Sequence, residues 1–317
     1  MKNRLFMWNL DIPLRLKTVY NNPIRGTLRR PAAGKRRKRP LKFTKMHGIG
    51  NDYIYVNCFE ETVQDPNGLA KRLSDRHTGI GSDGLVLIRP SENADFRMDM
   101  YNSDGSQAQM CGNAIRCVGK YVYDNGLTDQ TTITIDTLAG VKTLWLTVEE
   151  GKVTAARVNM GRPEFAPEKI PVAAEGETVV DYPVMLSGKE YRITCVSTGN
   201  PHAVLFVDDV ESLNLEVLGP RFEHHPLFPQ RINTEFVQVL DRGRLRMRVW
   251  ERGAGETMAC GTGACASLAA ACVNGLCDRR AQLVLNGGSL LIEWEEESGC
   301  LFMTGPAETV FTGEVEA

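Results

Sequence analysis

The chain has 317 residues, 42% of them hydrophobic and 24% charged, which suits two domains of ordinary size with a sizeable buried core. Its net charge of −2 gives no general argument for a nucleic-acid partner, and no apolar run of about 18 residues predicts a membrane span. Nine cysteines without regular disulfide spacing, and without a secretory signal pattern, favour reduced thiols in a cytoplasmic protein, and no cysteine spacing is that of a zinc site.

Basic charge is concentrated in residues 1–40, which hold twelve Lys or Arg and one acid, Asp11. Because the run Lys35–Arg39 precedes a proline and the segment has no sustained periodicity, we expect a solvated, disordered extension. It could be a nucleic-acid arm or nuclear address, or a transit peptide, which its low serine content disfavours. We favour a third interpretation, that it is not part of the working protein and that Leu41 marks the true start. N-terminal sequencing of protein from its host tests this, and a mature protein that retains Lys35–Arg39 would contradict it.

After the basic segment, apolar runs and alternating patterns predict a chain rich in strands. In chain order the predicted strands are Tyr53–Val56, Gly84–Ile88, Phe96–Tyr101, Thr131–Asp136, Lys142–Val148, Val153–Asn159, Ala203–Val207, Thr234–Leu240, Leu245–Trp250, Gln282–Leu285 and Ser289–Trp294. Helices are fewer, at Leu69–Arg76, Asn113–Asp124 and Thr262–Val273. Asn-Gly closes the last two, where Gly126 and Gly275 fit the left-handed cap that ends a helix. The third helix is rich in Ala and Cys, so we expect burial on all its sides.

Two cysteine motifs, Met110–Ala114 and Ala259–Gly263, lie 149 positions apart. Between Phe96–Gly126 and Leu245–Gly275 the same offset needs no gap, and six of 31 aligned pairs are identical. A fixed offset over so long a span predicts two structural halves of common design. Each half is expected to be a mainly antiparallel sheet wrapped around one central helix. Each then presents one cysteine at the same place in its own fold.

A Cys-Gly pair at the start of a helix, as at Cys111 and Cys260, has a defined chemistry. The first N–H groups of a helix have no partner inside it, so they are expected to bind a carboxylate. The residues concerned are Gly112, Asn113, Gly261 and Thr262. The same field is expected to lower the pKa of each cysteine. If the two helix starts converge, one sulfur lies on each face of the adjacent carbon, which suits removal of an α-proton from an amino acid.

Further polar residues in loop-like contexts have donors and acceptors suited to a zwitterion. These are Asn51, Asn102, Asn200 and Asn233. After a predicted strand, Glu251 offers an acceptor for an ammonium group and Arg252 a forked donor for a carboxylate. No pyridoxal-phosphate pattern is evident, and we expect neither a cofactor nor a metal. The remaining cysteines are expected to be small core residues. They are Cys58, Cys117, Cys195, Cys265, Cys272, Cys277 and Cys300.

Several motifs carry a family resemblance through their number and order, although any one of them is modest. They are Phe43–Asp52, Asn102–Ser106, Cys111–Cys117, Gly199–His202, Glu251–Thr257 and Ala259–Gly263. From about Leu41 to Gly313 the chain resembles the diaminopimelate epimerases. The resemblance implies a cofactor-independent enzyme that interconverts LL- and meso-diaminopimelate, the step before meso-diaminopimelate is used for lysine and peptidoglycan.

The resemblance also implies an α/β fold of the α+β kind. It has two pseudo-symmetric domains, each a mainly antiparallel, barrel-like sheet around a central helix, with the site in the cleft between them. We assign residues 41–156 together with 306–317 to the first domain and residues 157–305 to the second. The last strand, near Val310–Glu314, is then expected to return to the first domain. Many members of the family form homodimers, so a homodimer is expected here.

The resemblance assigns roles to the candidate residues. Cys111 and Cys260 are the two acid–base residues, and His202 and Glu251 are placed to tune their pKa. The helix-start residues hold the reacting carboxylate. The rest of the substrate is bound by Asn51, Asn102, Asn200, Asn233, Glu251 and Arg252. From the residues alone, His202 could equally be a structural histidine.

Two alternatives stay open. One is a racemase of proline, hydroxyproline or histidine from the same superfamily. Relatives of the proline type tend to carry His in place of Asn113, and Glu251 with Arg252 favours a substrate with a second zwitterionic end. The other is a thiol redox or sensor protein that uses the same two cysteines. Two departures from the family pattern stand out, since some members carry Gln where this chain has Gly84 and Met110.

Overall fold

The structure is a computed structural model, and its description covers residues 39–316. Most of the expected basic extension, residues 1–38, lies outside the described residues, so the expectation for it stays a prediction. Within the described range, four α-helices and eighteen strands form a mixed fold dominated by sheet. This confirms the predicted α+β class. In the described part of the chain, no helix has both the length and the apolar character needed to cross a membrane.

The helices are α1 (Pro66–Ser74), α2 (Gly112–Asp124), α3 (Leu215–Glu223) and α4 (Gly261–Val273). The three predicted helices are confirmed, whereas α3 has no predicted counterpart because Pro220 lies inside it and interrupts its pattern. Both cysteine-motif helices end as predicted, with Gly126 at φ +71° and Gly275 at φ +70°. Ten residues of α4 are buried, which confirms the expectation of burial on all sides.

The strands cover most of the remaining chain. They are β1 (Leu41–Gly48), β2 (Asn51–Asn57), β3 (Gly84–Arg89), β4 (Phe96–Asn102), β5 (Gln107–Ala108), β6 (Thr132–Asp136), β7 (Lys142–Glu149), β8 (Lys152–Gly161), β9 (Tyr182–Leu186), β10 (Lys189–Ser197), β11 (Pro201–Phe206), β12 (Asn233–Asp241), β13 (Arg244–Glu251), β14 (Gly255–Glu256), β15 (Arg280–Leu285), β16 (Gly288–Trp294), β17 (Leu301–Pro306) and β18 (Glu308–Val315). All eleven predicted strands are confirmed to within two residues at each end. The unpredicted strands are short or mixed in polarity, such as β9 with Pro183 and β10 with the charged start Lys189–Arg192.

The strand register repeats at the offset seen in the sequence. In the first half, β2 and β3 run parallel with Tyr53 opposite Gly84, and in the second half β11 and β12 run parallel with His202 opposite Asn233. The antiparallel neighbours agree too, since Leu85 faces Tyr101 and, 149 residues later, Thr234 faces Trp250. The backbone therefore carries the same design twice, as the sequence repeat predicts.

The two halves exchange strands and share one sheet. β8 pairs with β7 and also with β17, while β18 returns to pair antiparallel with β1, which confirms the expected return of the last strand. β9 pairs antiparallel with β10 within the second half. The proposed boundary at 156/157 falls inside β8 and that at 305/306 inside β17, and the domain limits stay a prediction.

The largest core cluster surrounds the two central helices. It includes Ile115 and Val118 of α2 together with Cys265 and Leu268 of α4, all fully buried. Apolar residues of strands from both halves complete it, among them Met303 of β17. Because this core fixes both helices, it also fixes the positions of their first residues, where the two cysteines lie.

Candidate active site

The two cysteine-motif helices begin at the same place in space. Cys111 is the N-cap of α2 and Cys260 the N-cap of α4, both with extended backbone. A Cβ added to Gly261 would lie 3.5 Å from the Cα of Gly112 and 2.9 Å from the Sδ of Met303. The first residues of the two helices therefore lie in van der Waals range of each other, so the two helix starts converge, as the two-base chemistry requires.

Each cysteine sulfur has polar neighbours. The Cys260 sulfur accepts a hydrogen bond from the Gly263 N–H at 3.3 Å and lies 3.4 Å from the Oγ1 of Thr262. The Cys111 thiol lies 3.4 Å from the Oδ1 of Asn51, to which it can donate. Cys260 is buried, while Cys111 is partly exposed to the cleft. The two sulfurs therefore lie at equivalent helix starts but differ in exposure and in hydrogen-bond partners.

The expected lowering of the cysteine pKa is wrong for the protein without substrate. Desolvation raises the pKa of Cys111, although the N–H groups of Ala114 and Asn113 oppose the rise. Burial raises the pKa of Cys260 well above its usual range, and the carboxylates of Glu251 and Glu235 add to the rise. The helix-start field does act in the expected direction, but burial outweighs it at both sulfurs.

A cleft between the halves has an inner and an outer chamber. The inner chamber, of about 180 Å³, is lined by both cysteines and by the helix-start residues Gly112, Asn113, Gly261 and Thr262. The outer chamber, of about 900 Å³, is lined by Asn233, Arg252 and other polar residues. Asn51, Asn102, Asn200 and Glu251 line both chambers. Twelve of the thirteen predicted site residues thus line one cleft, and only His202 does not.

Amide side chains organise the first half of the cleft. Asn113 is buried and donates to the carbonyl of Ala259 at 3.0 Å, which ties α2 to the second half, and to the Oδ1 of Asn51 at 3.3 Å. Its own Oδ1 is buried and has no hydrogen-bond partner among residues 39–316, so it can accept from a ligand. Asn51 in turn donates to Asp83 at 2.6 Å. These contacts hold the Asn51 and Asn113 side chains in place and leave the Asn113 Oδ1 available to a ligand.

The second half places charged groups at the cleft. Desolvation raises the pKa of Glu251, whose Oε1 accepts a hydrogen bond from the Thr257 hydroxyl. Arg252 is exposed in the outer chamber, where it donates to the carbonyl of Gln230 at 3.0 Å. Asn233 receives the Arg252 backbone N–H on its Oδ1 at 2.9 Å and donates to the Pro201 carbonyl at 3.0 Å. The Asn233 amide therefore positions this loop as well as lining the outer chamber.

His202 lies behind the cleft in a buried chain of three polar side chains. Its Nδ1 lies 2.7 Å from Glu235 Oε1, and its Nε2 lies 2.8 Å from Asn200 Oδ1. The His202 ring therefore bridges the carboxyl group of Glu235 and the side chain of Asn200. Asn200 in turn lines both chambers of the cleft. His202 thus acts on the cleft through Asn200.

Glu235 is the main residue that the sequence predictions missed. It is fully buried in β12, and an added Cβ on Gly263 would lie 2.6 Å from its Oε1 and 3.2 Å from the Cys260 sulfur. The available signal was an acid directly before the apolar pair Phe236-Val237 within a predicted strand. Tyr53 and Asp83 were also missed, and both line the cleft.

The two departures from the family pattern have different consequences. A Cβ on Gly84 would lie 2.1 Å from the Tyr101 carbonyl oxygen, so the close approach of β3 and β4 requires glycine here. Met110 lines the inner chamber beside Cys111. In the described part of the chain no group of three or more His, Cys, Asp or Glu could hold a metal ion. The expectation that the reaction needs no metal or cofactor stays a prediction.

Comparison with known sequences agrees with the resemblance. A sequence model of the family described as diaminopimelate epimerase matches residues 43–166 and 194–310. The chain is 62% identical over 276 residues to a diaminopimelate epimerase of Acetivibrio thermocellus, covering 87% of this chain and 99% of that protein. It is 56% identical over 276 residues to one of Methanococcus maripaludis, with coverage of 87% and 100%.

Solved structures show the same fold at low sequence identity. A hydroxyproline epimerase from Agrobacterium vitis, solved with bound trans-4-hydroxy-L-proline, matches with a TM-score of 0.65 at 16% identity, covering 88% of this chain and 91% of that one. A phenazine biosynthesis protein of the PhzF family from Bacillus anthracis matches with a TM-score of 0.64 at 18% identity, covering 87% and 99%. At these identities the likeness concerns the fold alone.

Proposed function

Because the chain belongs to the diaminopimelate epimerase family, we propose that it epimerises diaminopimelate by a two-base mechanism in which Cys111 and Cys260 act on opposite faces of one carbon. The enzyme is an isomerase that interconverts LL-2,6-diaminopimelate and meso-2,6-diaminopimelate. The observation that carries the two-base mechanism is the meeting of two Cys-Gly helix starts in one chamber, with Gly261 and Gly112 in near contact.

The reacting carboxylate is held by the two helix starts. The free N–H groups of Gly112, Asn113, Gly261 and Thr262 bind its oxygens, and the partial positive charge at both helix ends favours its negative charge. Negative charge develops on this carboxylate when the α-proton leaves, so the same donors stabilise the carbanion. A chamber of about 180 Å³ admits this end of the molecule and little else.

Proton transfer then removes one proton from the α-carbon and delivers another to its opposite face. The thiolate of one cysteine takes the α-proton and becomes a thiol, leaving the electron pair on the substrate as a carbanion delocalised into the carboxylate. The thiol of the other cysteine delivers its proton to the opposite face and becomes a thiolate. The configuration is inverted and the total proton count is unchanged. For the reverse reaction, the two cysteines exchange roles.

The distal end of the substrate occupies the outer chamber. Its carboxylate is bound by Arg252, whose forked guanidinium is the exposed cation directly after β13. The carboxylate of Glu251 accepts from the ammonium group, and the Asn200 amide, held by His202, offers the substrate a further hydrogen bond. Asn51 and Asn102 line both chambers and contact the molecule between its two ends. Binding of the distal end places the reacting carbon between the sulfurs.

A proton exchange experiment tests this proposal. LL-diaminopimelate is incubated in D₂O with the reduced enzyme, and the α-proton signal is followed by NMR. We expect the signal to fall with the appearance of the meso isomer, without added oxidant or cofactor. Lysine, which lacks the distal carboxylate, and proline serve as controls and should exchange far more slowly. Equal exchange of proline would favour the broader racemase, and exchange only under oxidant would favour a redox protein.

We further propose a homodimer in which β18 forms part of the interface. Val310 and Phe311 on this strand are 53% and 45% exposed, and among the described strands only β1 pairs with it. A free edge that carries exposed apolar residues favours pairing with another chain. Phe311→Asp should therefore yield monomers in analytical ultracentrifugation. Phe59→Asp is a matched control, because Phe59 is also 45% exposed and packs edge-on against one aromatic ring. A dimer that survives Phe311→Asp would contradict this interface.

The setting of the reaction follows from the family. The product feeds lysine and peptidoglycan synthesis, and we place the enzyme in the cytoplasm. All nine cysteines are free thiols in the structure, and the two proposed acid–base groups need to stay reduced. Fractionation of the host with activity measured in each fraction tests the location, and activity confined to an oxidising compartment would contradict it.

A further inference from the structure

A second pair of cysteines lies outside the active site. Cys272 is in the last turn of α4 and Cys277 is in the loop before β15, and their sulfurs are 3.7 Å apart. Cys272 is partly exposed, whereas Cys277 is buried with 4% of its surface exposed. The epimerase mechanism uses neither residue. From the sequence both were expected to be ordinary core cysteines, and that expectation does not account for their juxtaposition.

The backbone holds this pair in place through the cap of α4. The Gly275 N–H donates to the Cys272 carbonyl at 3.0 Å, and the Leu276 N–H donates to the Ala271 carbonyl at 2.9 Å. The Asn274 side chain adds bonds to Ala270 at 2.7 Å and to Thr194 at 2.9 Å. This capping turn reverses the chain direction at the end of α4. The short connection after the helix therefore brings the Cys277 sulfur next to the Cys272 sulfur.

The pair opens onto a surface cavity of about 460 Å³. Arg242 and Arg279 line it together with Trp294. The two guanidinium groups are fixed by Asp278 at 2.8 Å and Glu296 at 3.1 Å. A small thiol-reactive molecule can therefore reach Cys272 from solvent, while Cys277 stays behind it.

We propose that Cys272 and Cys277 are a reversible redox pair, which reacts with hydrogen peroxide or with a low-molecular-weight disulfide to form an intrachain disulfide. Cys272 is the attacking thiol because it is the exposed one, and Cys277 is the resolving thiol because it lies directly behind. Hydrogen bonding from Cys277 lowers the pKa of Cys272, with Arg279 and Arg242 contributing, and the same bond raises the pKa of Cys277. These directions agree with the assigned order of attack.

The chemistry balances with either oxidant. With a disulfide, the Cys272 thiolate attacks one sulfur and releases a thiolate, giving a mixed disulfide. Cys277 then loses its proton, attacks Cys272 and releases the second thiol, so one external disulfide is reduced and one protein disulfide is formed. With peroxide, Cys272 becomes a sulfenic acid as one water leaves. Attack by Cys277 then releases the second water.

This site is independent of the epimerase centre. Cys272 lies twelve residues after Cys260 along α4, a distance of about 18 Å at 1.5 Å per residue. Because burial raises the pKa of Cys111 and Cys260, those thiols are expected to react more slowly than Cys272. Mild oxidation should therefore close the second pair first and leave the epimerase active.

A stoichiometric thiol assay tests the proposal. One equivalent of the aromatic disulfide dithiobis(nitrobenzoate) is added to the reduced full chain, and the coloured thiolate is counted. Wild type should release two thiolates per reagent molecule and carry no adduct, and peptide mass spectrometry should find Cys272 linked to Cys277. Cys277→Ser should release one thiolate and retain the adduct on Cys272. Epimerase activity should be unchanged in both reactions.

Controls keep the outcome decisive. Cys300→Ser is a matched variant, because Cys300 is also partly exposed but its sulfur contacts only the Ser298 carbonyl, at 3.8 Å. It should behave as wild type. A wild-type adduct on Cys272 without the disulfide would overturn the proposal, as would first reaction at Cys58 or Cys300. A disulfide that maps to Cys111 and Cys260, with loss of activity, would also overturn it, without touching the proposed epimerase chemistry.

Discussion

The two halves of the molecule share a backbone design and differ in the charge placed around their cysteines. Cys111 in the first half lies beside the amide of Asn51 and is partly exposed in the cleft. Cys260 in the second half is buried near Glu251 and Glu235. The repeated register thus supplies two equivalent positions for sulfur, and the different side chains around them make those positions chemically unequal.

This inequality decides which sulfur holds the proton in the resting enzyme. Desolvation raises the pKa of both cysteines, Glu251 adds to the rise at both and hydrogen bonds oppose it at both, but Glu235 adds to it at Cys260 alone, whose pKa is raised well above its usual range. We therefore expect Cys111 to be the more easily formed thiolate and Cys260 to be the thiol.

Removing either sulfur should have the largest effect. Cys111→Ala and Cys260→Ala should each lower kcat by about 10²–10⁴-fold, because acid–base groups contribute that much and neither half can replace the other. Circular dichroism should show an unchanged fold. Steady-state conversion of LL-diaminopimelate gives the rates. A variant that keeps more than about one hundredth of the wild-type rate would remove that cysteine from the proposed chemistry.

Removing the distal anchor should have the next largest effect. Arg252→Ala should lower kcat/KM by up to about 10²-fold, because loss of remote binding misplaces the reacting carbon. Arg252→Lys should recover only part of the activity, since a point charge cannot make a two-point contact. Arg231→Ala is a matched control, being an exposed arginine that pairs with Glu223 at 3.4 Å. Wild-type kinetics for Arg252→Ala would contradict a role in binding.

The pH profile of the wild type should show the raised thiol pKa. Because most of the free enzyme carries a protonated Cys111 near neutral pH, kcat/KM should rise with pH by about tenfold per unit until that thiol ionises. Glu251, whose pKa is also raised, ionises on the same limb at lower pH. Initial rates across the neutral and mildly alkaline range give the profile. A flat profile from about pH 6 upward would show that the thiolate is already formed.

The smallest predicted change tests the charge around Cys260. Glu235→Gln removes a carboxylate that raises the pKa of Cys260, so the thiol should ionise at lower pH and the alkaline limb of the profile should move down. Below that limb Cys260 stays protonated, so kcat/KM should change little near neutral pH and fall by up to about tenfold only at alkaline pH, since general-acid efficiency follows the protonated fraction. Glu223→Gln is a buried-carboxylate control that pairs with Trp250 at 2.8 Å instead. If kcat/KM of Glu235→Gln falls at the same alkaline pH as that of wild type, Glu235 does not set the difference between the two cysteines.

The features that the sequence could predict are those set by local pattern and by the internal repeat. The starts and ends of α2 and α4 follow from the Cys-Gly and Asn-Gly pairs. The offset of 149 residues also relates Asn51 to Asn200, so the repeat predicts equivalent positions for these two residues in the two halves. The repeat predicted an equivalent helix start in each half, and the structure shows that the two starts meet in one chamber. Twelve predicted residues therefore line one cleft, although their roles stay proposals.

Features that depend on packing were beyond the sequence. Glu235 acquires a role only because β11 and β12 bring it to His202, a contact that no local pattern encodes. The direction of the cysteine pKa shifts depends on how completely the helix starts are buried, so the helix field alone predicted the wrong sign. In α3, Pro220 hid a helix that packing stabilises.

The most direct test of two bases on opposite faces is where deuterium first appears. LL-diaminopimelate is mixed with reduced wild-type enzyme in D₂O, and the isomers are separated early and analysed by mass spectrometry. Two sulfurs predict deuterium in the meso product, delivered by the second thiol, while recovered LL substrate still carries its α-proton. Deuterium entering recovered LL substrate as fast as it enters the product would mean that one group serves both faces, and would contradict the account.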